Sequence, residues 1–462
     1  MYARMAAAVA RAGAPRSVYA QDTTLSRRGL LTRADRRARE LTSLGVGPGD
    51  LVALSMGNVP LLLVLAIACS KLRAIAVPVD PANGDRALVD VARRLPLRLV
   101  VRRPRGPDAP PIEYGEGYVR RSRRRLASSL LTAEALDPPD VPGLEIPGDA
   151  EVIVEARGIG GMVRDVVRTG AHLEAIGRAA VSALGLDDGA KILCAQPFTV
   201  PRFFDAVVLA WLESESQLVM AEGPALSSVL PIARGQDNLT VVDSVRQFLE
   251  LARSVRASGA PLPLRPVIPE ATIPMATGRA LGQAFGTAPT QMLLLEEIGV
   301  LAGRPLTRGA RFTPAAGVEL RPGAPMEAGG HEVLVDTVQA AECLPPVPMT
   351  EPGAIAQDSW RHTGYAGKFS RDGELVEILG RDDGLVSLEG RRACLDRIED
   401  EVLTHRRITW ARATVHTTDD GEPQVHLAYR ASGDTEVEDL EEHAIGRLPP
   451  YMVPRTFDRT PG

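Results

Sequence analysis

Residues 156–165 read Ala-Arg-Gly-Ile-Gly-Gly-Met-Val-Arg-Asp. Gly158, Gly160 and Gly161 follow a strand-like run, and Arg164 stands three residues beyond the last of them. Glycines let backbone N–H groups curl around phosphate oxygens, and a nearby cation neutralises the charge. The spacing matches neither the Walker pattern nor the dinucleotide fingerprint, so on its own the run reads as a turn. Other chemistry-bearing types are scarce. Lysine occurs only at 71, 191 and 368. Cys69, Cys194, Cys343 and Cys394 are far apart with no C-x-x-C pair, which argues against a zinc site or a disulfide framework. Cys194 is a candidate transfer nucleophile, but nothing marks a lowered pKa, so it reads as a buried thiol. Arg120, Arg121, Arg123, Arg124 and Arg125 crowd a Pro/Arg-rich stretch, 102–148. That stretch reads as a solvated loop or helix face, with contact to an anionic ligand or an acidic carrier protein as the functional alternative.

The elements that must position these residues alternate. Residues 32–44 carry apolar side chains at helical spacing, with Thr32 or Asp35 as cap. Gly45 to Asp50 makes a turn. Residues 51–56 and 74–79 read as short apolar strands flanking a buried helix at 59–72, a strand–helix–strand order that predicts parallel pairing. Further strands are expected at 152–154, 190–195, 217–221 and 240–242, with helices at 172–184 and 203–212. The fold class is therefore α/β. After Asp383 the character changes: strands at 385–388, 411–416 and 424–429 and a helix at 395–403 suggest a small α+β unit. The expected division is 1–382 as a large domain of αβ subdomains and 383–462 as a small C-terminal domain.

Several blocks, in order, resemble the adenylate-forming superfamily of acyl- and aryl-CoA ligases, peptide-synthetase adenylation domains and luciferases. They are LGVGPGDLVALSMGNVPLLLVLAIACSKLRAIAVPVDP, ALGLDDGAKILCAQPF, HTGYAGKFSRDGELVEILGRDDGLVSLEGRRACLDRIEDEVL and LPPYMVPRTF. The resemblance implies the adenylate-forming fold. It also implies a two-step chemistry: a carboxylate attacks the α-phosphate of ATP, and a thiol of CoA or of carrier phosphopantetheine then takes the acyl group.

Position by position, the ATP motifs are eroded. The family's T-S-G-T-T-G-x-P-K-G loop aligns with residues 156–165: the hydroxyls are gone, Arg164 replaces the lysine, and Asp165 adds a charge expected beside the phosphates. In LLLEEIGVLAG the magnesium glutamate survives as Glu297, but Leu293, Leu294 and Glu296 replace its Tyr, Gly and Thr companions. The ribose-binding aspartate of T-G-D is Tyr365, which cannot accept two hydroxyl donors as a carboxylate does. Arg381 matches the hinge arginine and Asp383 the hinge residue; Ser387 stands for a lysine after the hinge. The adenylation lysine would lie beyond the L-P-x-Y-M-V-P block, about where the chain stops at Gly462, so the C-terminal domain is expected to be shortened.

Losing one electrostatic stabiliser of this kind typically costs about 10²–10³-fold in rate. The expectation is a protein that does not adenylate, with ATP and magnesium in doubt. It would pass an acyl or aryl group from a coenzyme A thioester to the phosphopantetheine thiol of a carrier protein in secondary metabolism. A cognate CoA ligase would supply the thioester. Phe198, Phe203 and Phe204 are the expected acyl pocket, and His172 the expected base. The alternatives are a non-catalytic ligase-like scaffold and an ATP-dependent ligase using Arg164 and Glu297.

Composition sets the outer bounds. The 462 residues suit two to four domains or subdomains, and 45% hydrophobic with 24% charged residues is ordinary for a globular chain. A net charge of −5 and 4% aromatics give no footprint for nucleic acid. The most apolar run, 59–69, is too short to span a bilayer, and the N-terminus lacks the apolar core of a signal peptide. A cytoplasmic protein without a membrane partner is expected.

Overall fold

The computed structural model describes all residues except 13–15, 21–22, 82–83, 105–110, 127–129, 142, 158–162, 188, 222, 224, 259–261, 274, 327–328, 345–353, 382–384, 389–390, 418–422, 434–436, 449 and 461–462. Two large sheets, of nine and eight strands among the described residues, enclose a layer of helices. Leu51–Ser55 is buried at every position, as a strand covered on both faces must be, and pairs in parallel with Ile75–Pro78. The helix between them, Pro60–Leu72, begins with a proline, whose missing N–H costs nothing at a helix start, and ends where Arg73 turns left-handed (φ 56°). It lies between the sheets, which is why the run at 59–69 is apolar on nearly every side. No helix of the described residues is long and apolar enough to cross a membrane.

Helices Arg27–Ser43 and Gly170–Leu184 complete the middle layer. Ser26 caps the first, accepting from the Gly29 N–H, so the chain enters it earlier than the expected Thr32 or Asp35. Gly170–Leu184 packs hard on residues 204–213: a Cβ at Gly177 would come within 2.5 Å of the Glu213 Cγ and 2.8 Å of the Leu209 carbonyl oxygen. In that packed segment, Phe204–Leu209 widens into a π-helical stretch that turns Asp205 fully inward. A second core lies under the outer face of the nine-stranded sheet, and a third under the outer face of the eight-stranded one.

One expectation fails here. The arginine cluster is neither a loop nor a helix face: Val119–Leu126 is a strand, paired with Leu131–Asp137 at the edge of the eight-stranded sheet. The β/α alternation covers most of the chain, to about residue 299, after which a separate five-stranded antiparallel sheet runs from Val318 to Arg381. The small C-terminal domain has its own core around Ile398, Val402, Leu427, Tyr429 and Leu440. The expected boundary at 382/383 and Asp383 itself lie outside the described residues.

Candidate active-site cleft

The parallel strands of the nine-stranded sheet end on one side, where open α/β sheets bind ligands. Strand Leu264–Ile268 runs into Glu270, and strand Thr290–Leu295 into Glu296 and Glu297. These three carboxylates line a cleft of ≈ 450 Å³ with Thr199, Arg202 and Tyr365. The C-terminal domain closes it with Asp396, Glu399, Asp400 and Arg412. Counting Asp80 and Glu155, eight carboxylates face two guanidiniums in this lining.

The floor of the cleft is braced by a buried ion pair. Arg168, fully buried on strand Val163–Thr169, donates to Asp205 Oδ2 at 2.9 Å, to the Glu296 carbonyl at 2.6 Å and to the Ile298 carbonyl at 3.4 Å. The turn carrying Glu297 is thus held through its backbone. Burial pushes the Asp205 carboxyl up to about 6 against the pull of Arg168. Arg202 reaches Glu296 Oε1 at 3.2 Å and also feels Glu270 and Tyr365.

Glu270 and Asp400 face each other across the domain junction. Burial raises both carboxyls, and the Glu270 charge raises Asp400 further: Glu270 is relieved by the Val245 N–H and Arg202, while Asp400 accepts from Thr272 Oγ1 at 3.3 Å. Both also line a second cavity of ≈ 650 Å³, with Gln196, Ser244, Gln247 and Leu403. Gln247 is 4% exposed, and its Nε2 has no hydrogen-bond partner among the described residues. Next to it, Asp243 accepts from Gln196 Nε2 at 2.6 Å, and burial pushes its carboxyl up to about 7.

The expected site residues divide. Glu297 and Tyr365 line the cleft, and Arg381 is the register partner of Tyr365 in the antiparallel pair. Gly158, Gly160 and Gly161 lie outside the described residues. Arg164 is fully buried and is not among the cleft-lining residues, so it is not presented as a solvent-facing phosphate cation. Asp165 is not an exposed charge beside a phosphate either: Arg94 grips both its oxygens at 2.9 and 3.0 Å. His172 is the N3 residue of a capping box; its Nδ1 accepts the Thr169 N–H at 3.3 Å, and it is absent from the described cleft lining. Phe198, Phe203 and Phe204 pack in the central core and do not line the cleft, because the wall facing it is built from the intervening Thr199 to Arg202. Cys194 is the expected buried thiol, raised well above its ordinary value by burial. Cys343 is pushed up to about 11 by burial beside Glu297, with Arg164 and Arg168 opposing.

Glu270, Asp400 and Arg168 were missed. A polar residue just past the end of a predicted parallel strand is a signal that could have found Glu270. Among the described residues no three His, Cys, Asp or Glu side chains are grouped to hold a metal ion.

The AMP-binding enzyme family model matches residues 5–139. Novobiocin biosynthesis protein H of Streptomyces niveus is 27% identical over 96% of this chain and 76% of its own length. Phosphinothricin tripeptide synthetase PhsC of Streptomyces viridochromogenes is 28% identical over 96% of this chain, which spans 41% of that synthetase. In structure, the o-succinylbenzoate CoA synthetase MenE of Bacillus subtilis, in complex with the acyl-adenylate intermediate OSB-AMP, superposes with a TM-score of 0.75. It is 15% identical, with 100% of this chain and 94% of that one covered. The matched family uses ATP, so the comparisons lend no support to the expectation that ATP is in doubt.

Proposed function

We propose that this chain, a divergent relative of the adenylate-forming enzymes, works in natural-product biosynthesis by thioester exchange without forming an adenylate. The donor is an acyl- or aryl-CoA and the acceptor the phosphopantetheine thiol of a carrier protein. In the exchange the carrier thiolate attacks the thioester carbonyl, the C–S bond to CoA breaks, and the proton from the carrier thiol ends on the CoA sulfur. No nucleotide enters the balance.

The observation that carries this reading is the charge of the cleft. Eight carboxyl groups line it against two guanidiniums; with Glu155 paired to Arg94 and with Glu270 and Asp400 raised by burial, Asp80, Glu296, Glu297, Asp396 and Glu399 still outnumber Arg202 and Arg412 and oppose a triphosphate. A phosphate charge about 4 Å from a carboxylate is repelled by about 4 kcal/mol at an effective dielectric of about 20. The described residues do not fit ATP: Tyr365 stands in the cleft where a ribose-binding carboxylate is expected, and Arg164 is buried. A pantetheine arm is neutral along its length and carries amides, so the arm alone enters the cleft, and the phosphorylated nucleotide of the CoA donor, as anionic as ATP, stays outside it in solvent. The second cavity meets it with the unpartnered Gln247 Nε2, a donor for an amide carbonyl. The raised carboxyls of Glu270 and Asp400, shared by both cavities, are more basic than an ordinary carboxylate and so better suited to accept a thiol proton.

The test is mass spectrometry of a phosphopantetheinylated carrier protein incubated with the pure protein. A panel of acyl- and aryl-CoA thioesters without ATP should load the carrier. Loading only from free acids plus ATP would overturn the proposal. That outcome is the second reading, an ATP-dependent acid–thiol ligase, which Glu297 in the cleft and the ATP-using family favour.

A further inference from the structure

The edge strand Val119–Leu126 and the helix Arg27–Ser43 enclose a concavity of ≈ 390 Å³ on the eight-stranded sheet. Arg36 and Arg37 enter it from the helix, Arg124 and Arg125 from the strand, and Glu40 is its one carboxylate among the described lining residues. Glu40 is engaged by Arg37. The neighbouring arginines of the strand are engaged too: Arg120 and Arg123 with the buried Glu134, and Arg121 with Asp137. Arg36 and Arg124 are exposed and have no ion pair among the described residues. A chain of net charge −5 has therefore gathered four guanidiniums in one hollow.

Single charged residues on an edge strand serve to block strand-to-strand aggregation. That role requires neither a hollow nor converging arginines from a second element. Guanidinium forks are matched to carboxylates, which they hold bidentately. The hollow is shallow and open, and the strand beside it has no further strand pairing among the described residues. We propose that this concavity docks the acidic surface of a protein partner, with Arg36 and Arg124 as its principal contacts. The charge complementarity is the argument for that occupant. The carrier of the proposed reaction is one such partner, but docking stands independently of the reaction and is read separately from it.

The test uses the full chain and a fluorescein-labelled twelve-residue polyglutamate as probe, followed by anisotropy at low and at physiological ionic strength. A polylysine probe and inorganic pyrophosphate serve as controls. The expected result is binding of polyglutamate that weakens with salt, and at least about a tenfold loss in the Arg36→Glu/Arg124→Glu variant. The milder Arg36→Ala/Arg124→Ala variant should fall between, with both variants keeping the wild-type melting temperature. Pyrophosphate should not displace the probe at matched charge. Equal affinity of wild type and folded variants, no binding by the wild type, or displacement by pyrophosphate alone would each overturn the proposal. Unchanged carrier loading from a CoA thioester by a variant that no longer binds the probe would remove the carrier as occupant without touching the transfer reaction.

Discussion

His172 and Asp243 show how the surroundings of a side chain decide what it does. At N3 of Gly170–Leu184, His172 closes a reciprocal cap with Thr169, a role any strong acceptor fills. His172→Ala should cost about 1 kcal/mol in chemical denaturation and leave carrier loading unchanged. A loss of loading at full stability would return the histidine to the reaction. Asp243 is different: burial raises its native carboxyl to about 7 from an ordinary 3.8. Between those values the native state binds the proton that the unfolded chain has released. The stability from this group is complete below about pH 4 and is lost as pH rises through about 7. Asp243→Asn should therefore be neutral near pH 4 and more stable than wild type near pH 8. Parallel pH–stability curves for the two proteins would contradict this. Little of this was legible in the sequence, where His172 and the aromatics at 198, 203 and 204 carry chemically suggestive types. Their roles are set by whether the backbone turns them toward the cleft or the core, and neighbouring positions can differ completely.

At the level of elements, the cleft depends on strand Val163–Thr169 meeting the turn after Thr290–Leu295. Arg168 joins them, and removing one partner of a buried ion pair leaves the other charge stranded. Arg168→Ala should destabilise the protein by about 3–5 kcal/mol and loosen the turn that carries Glu297. The double variant Arg168→Met/Asp205→Leu should recover much of that loss in stability, measured by denaturant unfolding. A double variant as unstable as the single one would contradict the ion-pair account. The elements themselves were largely legible: the apolar runs at 51–56, 59–72 and 190–195 and the helices at 172–184 and 395–403 fall within a few residues of their observed bounds. Continuous apolar runs between turn signals leave few alternatives in a parallel sheet. The arginine strand Val119–Leu126 escaped because an edge strand with seven of eight positions not buried has no apolar alternation to read. In the sheet from Val318 to Arg381, the edge strand Val318–Pro325 is likewise thinly buried, so its period is weak.

For the whole molecule, the ordered blocks of resemblance carried the fold: a large αβ domain with a smaller domain closing the cleft. They did not carry the charge of that cleft, because its carboxylates come from five separate stretches of chain between Asp80 and Asp400 that only the fold brings together. Arg164 shows the same limit from the other side, since alignment fixes its place in the chain and folding then buries it. The small domain contributes three of the eight carboxylates, so closure itself makes the cleft more hostile to a polyanion. The most direct measurement is isothermal calorimetry of magnesium–ATP on the pure full chain, beside an active ligase as control. The account predicts no saturable heat at millimolar nucleotide while an aryl-CoA panel gives binding. Saturable binding of magnesium–ATP, weakened by Glu297→Gln, would contradict it and favour the ligase reading.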